Sequence, residues 1–421
     1  MIKGKGNVKG ERAILHSDLN SFYASVEIML NPALRNKAVA VCGSTEDRHG
    51  IVLAKSGPAK QAGIKTGMVN WEAKQRCPDL LMLPPQYEQY LKYSKLAREI
   101  YQRFTDQVEP YGMDECWLDV TASQSIYGDA ISIAGQIRSM VREELGLTVS
   151  IGVSYNKIFA KLGSDMKKPD AITVIGRNEY KEKIWPLPVA DLFYVGGATE
   201  KKLCRYGIST IGALANTPRD SLRSLLGKNG EMLWVFANGM DQSRVMQYDF
   251  HSPVKSIGHG TTCTADLKNN DEVWKIMLYL TQDIGHRLRL HEMMAGGVQI
   301  TAKDNSLASR QYQLRLPTAT QSPMELAVAA RSLFEKHYAW HAFVRAITVC
   351  AINLEPLCIP RQLTLFDNAA RRAKLQRLDD TVEKVRGRFG KRSIRPALLL
   401  GKLKTPGDSC HEVIMPGTMH G

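Results

Sequence analysis

HSDLNSFYASVE (residues 16–27) and YGMDECWLDV (residues 111–120) decide how this chain folds. The short apolar run Ala13-Ile14-Leu15 leads into the first, and Cys116-Trp117-Leu118 leads out of the acidic pair in the second. Both read as strands of one sheet, with Asp18, Asp114 and Glu115 at one end of it. A lone Asp beside an apolar strand is more often a helix cap or a turn residue. Three carboxylates gathered at one sheet edge cannot all stay ionised without a strong counter-charge, and a divalent cation is the usual one. The pattern points to a two-metal centre for phosphoryl or nucleotidyl transfer.

The surrounding text narrows that reading. Phe22 and Tyr23 follow Asp18 by four and five residues, ahead of Ala24, Ser25 and Glu27, while Met113-Asp114-Glu115 is followed by Leu118-Asp119-Val120. Together these resemble the two catalytic motifs of the Y-family DNA polymerases, the bacterial lesion-bypass enzymes of the DinB/UmuC type. The resemblance continues in order. SIGVSYNKIFAKLGSDMKKPDAITVI (150–175) is similar to the family segment with an Asn-Lys pair and a basic residue before a proline. LFYVGGATEKKLCRYGISTIGALAN (192–216) resembles its helix-hairpin-helix, and KSIGHGTT (255–262) the opening of its additional DNA-binding domain. Membership implies a template-directed polymerase of low fidelity, without proofreading, that adds dNTPs to a primer 3′ end.

The fold so implied is α+β: a right-hand polymerase with a ferredoxin-like palm, small fingers, a helical thumb and an α+β little finger. Palm residues are expected at 1–22 and 84–175, a sheet with helices on one face that include amphipathic stretches near Tyr87–Phe104 and Ile131–Leu145. The fingers would span 23–83, the thumb 176–242, a linker 243–254 and the little finger 255–356. In the last of these, strand-like segments at Val298–Ala302, Tyr312–Leu316 and Ala346–Leu354 alternate with helical ones. Residues 357–421 form a basic tail, with 13 Lys or Arg against 6 Asp or Glu.

By resemblance, Asp18 and Asp114 bridge two Mg²⁺ ions, Glu115 completes the primer-side site and the backbone carbonyl of Leu19 adds an oxygen. Asp119, four residues past Glu115 on the strand, is expected to cap the following turn instead of binding metal. Tyr23 matches the family's steric gate against a 2′-hydroxyl, and Phe22 beside it is expected among the nucleotide contacts with its ring toward the core. Lys168 corresponds to a palm lysine on the triphosphate. Where the family often carries Tyr and Arg in the fingers, this chain has Gly57 and Lys60; Lys60 is expected to bind the triphosphate, and the altered segment suggests the UmuC-like branch. Val195, Gly196 and Gly197 would offer backbone N–H groups to a DNA phosphate, with Lys255 and Ser256 as further DNA contacts. Gln362, Leu363, Leu365 and Phe366 resemble the peptide by which bacterial polymerases dock on the sliding clamp. The segment 369–387 has the apolar spacing of a helix that packs back on the protein.

Composition agrees. The chain has 421 residues, Lys and Arg total 56 against 42 Asp and Glu, and a net charge of +14 suits a polyanionic partner. Eight cysteines, with no C-x-x-C pair, fit free thiols in a reducing cytoplasm. The N-terminus reads as neither a signal peptide nor a membrane anchor. A monomer without membrane contact is expected. Two rivals share some of these features: another palm-type two-metal enzyme such as a nucleotide cyclase, and a non-catalytic relative that binds DNA and clamp.

Overall fold

Strand β1 (Ile14–Leu19) is buried at every residue although half of it is polar. It tolerates this because its polar side chains are bonded from both sides. Ser17 Oγ donates to the Tyr101 hydroxyl at 2.8 Å, and His16 Nδ1 lies 2.8 Å from Ser164 Oγ. The alternation of a strand sends Leu15, Ser17 and Leu19 to one face and Ile14, His16 and Asp18 to the other.

The computed structural model describes residues 11–358 and 369–406. These form two units, one of residues 11–43 and 51–252, the other of residues 44–50 and 253–406. The first unit continues from β1 through α1 (Phe22–Leu30), β2 (Val39–Cys42), β3 (Val52–Lys55), α2 (Gly57–Gln61), α3 (Asn70–Arg76), β4 (Leu81–Leu83) and α4 (Tyr87–Gln102). Next come β5 (Val108–Tyr111), β6 (Glu115–Asp119), α5 (Gln124–Tyr127), α6 (Ala130–Leu145), β7 (Val149–Ser154), α7 (Lys157–Met166) and β8 (Ile172–Ile175). A five-stranded sheet runs β5-β6-β1-β7-β8, with β1 antiparallel to both neighbours. A separate small sheet, β3-β2-β4, has its own core of Val52, Ile64 and Leu80.

Helices cover both faces of the large sheet, whereas the sequence suggested one. On the Leu15 face, α4 and α6 bury Tyr90, Ile100, Ile133, Ile137 and Val141 against Leu15 and Leu19. Each such residue removed from water contributes about 1.5–3 kcal/mol. The α6 stripe repeats at helical spacing and is capped by Asp129, whose carboxylate accepts from Ser132 N–H at 2.8 Å. On the opposite face α7 lies flat on β1 and β7 because Gly152 lets it: a Cβ there would stand 1.8 Å from the Ala160 carbonyl oxygen. That second helical layer fixes the surroundings of Asp18. Helix α1 packs Phe22, Ala24 and Val26 into the same core as the sheet.

Helices α8 (Tyr180–Ile184), α9 (Gly197–Arg205), α10 (Ile211–Asn216), α11 (Arg219–Leu226) and α12 (Lys228–Ala237) surround a third core of Leu203, Ile211, Leu214, Leu222 and Leu233, which Phe159 of α7 joins.

The second unit holds β9 (Ile257–Leu267), α13 (Asn270–Leu290), β10 (Met293–Asp304), β11 (Ser309–Thr320), α14 (Pro323–His337), β12 (Val344–Pro356) and α15 (Ala369–Phe389). Its antiparallel sheet runs β11-β10-β12-β9, and α13 and α14 bury Ile276, Leu280, Ile284, Ala330 and Phe334 against it. Helix α15 lies along α13, with Glu383 Oε2 2.7 Å from His286 Nδ1 and Asp380 Oδ1 3.3 Å from Arg289 Nε. Farther on, Leu399 is buried against Leu278 and Ala327.

Candidate active site

Asp18, near the end of β1, pairs across the sheet with Glu115, the first residue of β6. Directly opposed residues of an antiparallel pair share a face, so both carboxylates point to the α7 side. Asp114 immediately precedes β6, and its carbonyl accepts from Leu19 N–H at 2.9 Å. The register thus gathers Asp18, Leu19, Asp114 and Glu115 at one edge.

Lysines offset much of this charge. Lys168 Nζ lies 2.7 Å from Asp18 Oδ2 and 2.8 Å from Asp165 Oδ1. Lys161, on α7, bonds Glu115 Oε2, and His16 Nε2 lies 3.4 Å from the same oxygen. Burial works to raise the Glu115 pKa, yet His16 and Lys161 together hold it down at about 2. For Asp18 the balance is reversed: burial, with Glu115 and Asp114 nearby, outweighs Lys168 and lifts it to about 7. Burial and Glu115 raise Asp114 to about 6. Burial lowers the pKa of His16. Burial also opposes the charge on Lys168, but Asp18 and Asp165 push its pKa well above the usual range.

Burial that raises two of these carboxyls, beside a third held in its ionised form, makes an edge that a cation would stabilise further. Its donors are all hard oxygens, which fit a divalent ion such as Mg²⁺. Among the described residues no three acidic, His or Cys side chains are gathered closely enough to hold an ion as they stand. Two of the carboxylates are instead engaged by lysine. Asp119 does what a turn residue does, its Oδ1 accepting from Thr121 N–H at 3.0 Å.

Tyr23 lies half-buried at the start of α1. Its ring stacks on Tyr90, with centroids 4.2 Å apart and planes 9° from parallel, and its hydroxyl donates to Met113 Sδ at 3.4 Å. Burial, reinforced by Asp114, pushes its phenol up to about 12. Phe22 is 3% exposed, so its ring belongs to the core and is not available to a nucleotide.

The sequence matches the family described as impB/mucB/samB over residues 17–165 and the C-terminal domain of that family over residues 254–365. It is 50% identical over 390 residues to the DNA polymerase IV of Acetivibrio thermocellus, an alignment spanning 93% of this chain and 98% of that one. The chain belongs to the Y family of DNA polymerases. DNA polymerase IV 1 of Bacillus subtilis is 37% identical over 408 residues, spanning 94% of this chain and 96% of the relative. The fold of a Y-family DNA polymerase chimera superposes with a TM-score of 0.72 at 22% identity, over 82% of this chain and 99% of that one. This polymerase is a DNA-directed enzyme of the lesion-bypass type, and its family implies dependence on a divalent metal. Its relatives place it with the DinB type and not the UmuC-like branch that Gly57 and Lys60 suggested. The reason is local: Gly57 and Lys60 occupy one five-residue helix, too short a segment to assign a branch against a match that spans most of the chain.

The other expected contacts of the polymerase scatter more widely. Lys60 is exposed on α2, and Lys55 Nζ donates to Thr66 Oγ1 at 3.0 Å; burial and the charge of Lys60 lower the Lys55 pKa. At the 194–197 turn the left-handed residue is Tyr194, with φ +70°, and neither glycine has positive φ. Gly196 and Gly197 instead leave open space, since a Cβ at either would meet nothing within 4 Å. The first turn of α9 has no side-chain cap, so its N–H groups face outward from helix positions that favour anions. Val195 is buried, while Lys255 and Ser256 are exposed just before β9. Gln362, Leu363, Leu365 and Phe366 lie outside the described residues.

Sequence reasoning missed Lys161, His16, Glu27 and Tyr90. Lys157 and Lys161 are one helical turn apart, which was the available signal for a basic face over β5 and β6. Lys157 indeed bonds Glu109 at 2.7 Å to both carboxylate oxygens. Tyr90 carried no signal beyond its place in an amphipathic stripe.

Proposed function

We propose that Asp18, Asp114 and Glu115, with the Leu19 backbone carbonyl, hold two Mg²⁺ ions and carry nucleotidyl transfer from a dNTP to a primer 3′-hydroxyl. The observation that carries this reading is the pairing of Asp18 with Glu115 beside Asp114, which gathers three carboxylates and the Leu19 backbone at one sheet edge. Bound there, the metals would activate the primer hydroxyl and neutralise the triphosphate. Lys168 would leave Asp18 for the triphosphate as the site fills. Its proton is held firmly, and a flexible ammonium suits a phosphate oxygen. Lys60 would add a second cation from the fingers. Tyr23 would close the space beneath the sugar and exclude a 2′-hydroxyl.

Residues 1–22 and 84–175 are read as palm, 23–83 as fingers, 176–242 as thumb, 243–254 as linker and 255–356 as little finger. Val195, Gly196, Gly197, Lys255 and Ser256 would hold the DNA backbone, and residues 362–366 the sliding clamp. No helix among the described residues is long and apolar enough to cross a membrane, and the proposed setting is the cytoplasm, as a monomer. Primer extension with Mg²⁺ and dNTPs tests the core of this reading: loss of extension on Asp114→Ala supports it, and retained extension refutes it.

A further inference from the structure

We infer that Glu27 is a positioning residue for sugar selection, acting through Tyr90 to set where the Tyr23 ring stands. The inference rests on the reading of Tyr23 as the sugar gate. Tyr23 and Glu27 are four residues apart on α1 and so rise from the same side of that helix. Tyr90, on α4, meets both. Its ring stacks on Tyr23, and its hydroxyl donates to Glu27 Oε1 at 2.5 Å. Gln86 Nε2, at the start of α4, donates to the other carboxylate oxygen at 2.7 Å. Tyr23, Tyr90 and Glu27 thus form a closed bracket, joined on one side by a helical turn and on the other by a stack and a hydrogen bond.

Packing alone does not account for a carboxylate in this place. Glu27 is 4% exposed, and burying a group that ionises is costly unless its oxygens are bonded. An aliphatic side chain would fill the seam between α1 and α4 without that cost. What the acid adds is direction. A strong acceptor at a fixed point sets the tilt of the Tyr90 ring, and the nearly parallel stack passes that tilt to Tyr23. The other contacts of Tyr23 are a thioether acceptor on Met113, an edge-on contact with Tyr87 at 6.1 Å between centroids and a tilted one with the buried Phe22 at 5.7 Å, none of them a parallel stack. Exclusion of one oxygen atom by a ring depends on placement finer than about 1 Å, a displacement that costs reactions up to about a hundredfold elsewhere.

The test is single-nucleotide insertion by the full-length chain, comparing kcat/KM for a dNTP with that for the matching ribonucleotide. Tyr90→Phe removes one oxygen and keeps the stack, and Glu27→Leu removes the acceptor. Each is expected to lower discrimination about tenfold, the scale of one hydrogen bond to a charged group, mainly through a lower KM for the ribonucleotide. Glu27→Gln keeps an acceptor oxygen and should retain discrimination within about threefold of wild type. A role confined to stability would affect both substrates alike and leave the ratio unmoved. Tyr90→Phe carries the test if Glu27→Leu does not fold. Unchanged discrimination in Tyr90→Phe, with discrimination lost in Tyr23→Ala, overturns the positioning role and spares the gate. Unchanged discrimination in Tyr23→Ala overturns the gate itself and this inference with it.

Discussion

Lys168 Nζ stands 2.7 Å from Asp18 Oδ2, although 150 residues separate them. The contact joins the turn after α7 to the end of β1, and it places an ammonium against a carboxylate proposed as a metal ligand. A lysine in that position partly neutralises the acidic edge without metal and is free to turn to phosphate when metal binds. Lys168→Ala is therefore expected to raise the KM for dNTP about tenfold or more, the scale of a lost charged hydrogen bond, and to change kcat less. Steady-state insertion kinetics measure this; an unchanged KM would separate Lys168 from the triphosphate.

Asp18→Ala and Asp114→Ala should reduce nucleotide addition below about a hundredth of the wild-type rate, the scale of losing an essential charge-stabilising element. Primer-template affinity should stay within a few-fold, because it comes from backbone contacts elsewhere. The same variants supply a readout independent of turnover. An ion that binds only the folded chain raises its thermal midpoint, so Mg²⁺ should stabilise wild type and leave Asp114→Ala unmoved. Equal shifts in both proteins would place the metal elsewhere.

The second unit offers a pH test. Burial works to raise the Asp283 pKa, but His259, Arg287 and Lys391 around it hold the carboxyl below its ordinary value. A carboxylate with a depressed folded pKa stabilises the fold fully above the unfolded value of about 3.9, and that contribution is lost as pH falls through the folded value. Asp283→Asn should therefore cost on the order of 1–3 kcal/mol near neutrality, and the gap from wild type should narrow as pH falls below about 4. Denaturant midpoints at several pH values check this; a gap independent of pH would mean Asp283 acts through shape alone.

Much of this was legible in the sequence, for identifiable reasons. Asp18, Asp114 and Glu115 stand beside apolar runs with strand periodicity, and the register that pairs Asp18 with Glu115 follows from two such strands lying antiparallel. The stripes of α4 and α6 announced one face of the sheet. The other face was hidden because its signature is an absence: Gly152, whose missing side chain admits α7. Lys161, His16 and Glu27 act through contacts made by folding, Lys161 with Glu115 across 46 residues and Glu27 with Tyr90 across 63. No local pattern encodes such pairs. The backbone at Tyr194 was missed for a different reason, since a non-glycine residue took the left-handed position while two glycines stood adjacent.

The proposed clamp contact at 362–366 gives the last prediction. Leu365 and Phe366 are the apolar pair of 362–366, the kind of side chains that fill a hydrophobic pocket and contribute about 2 kcal/mol or more each when they are hot spots. With both replaced by Ala, synthesis on a short primer without clamp is expected to match wild type. A loaded clamp stimulates by holding the enzyme at the primer end at high effective concentration. Stimulation should vanish in the double variant, because tethering needs the pocket to be filled, and adding free enzyme at high concentration should restore the rate. Equal clamp stimulation of wild type and variant would remove 362–366 from the interface and leave the basic segment beyond it as the region to test.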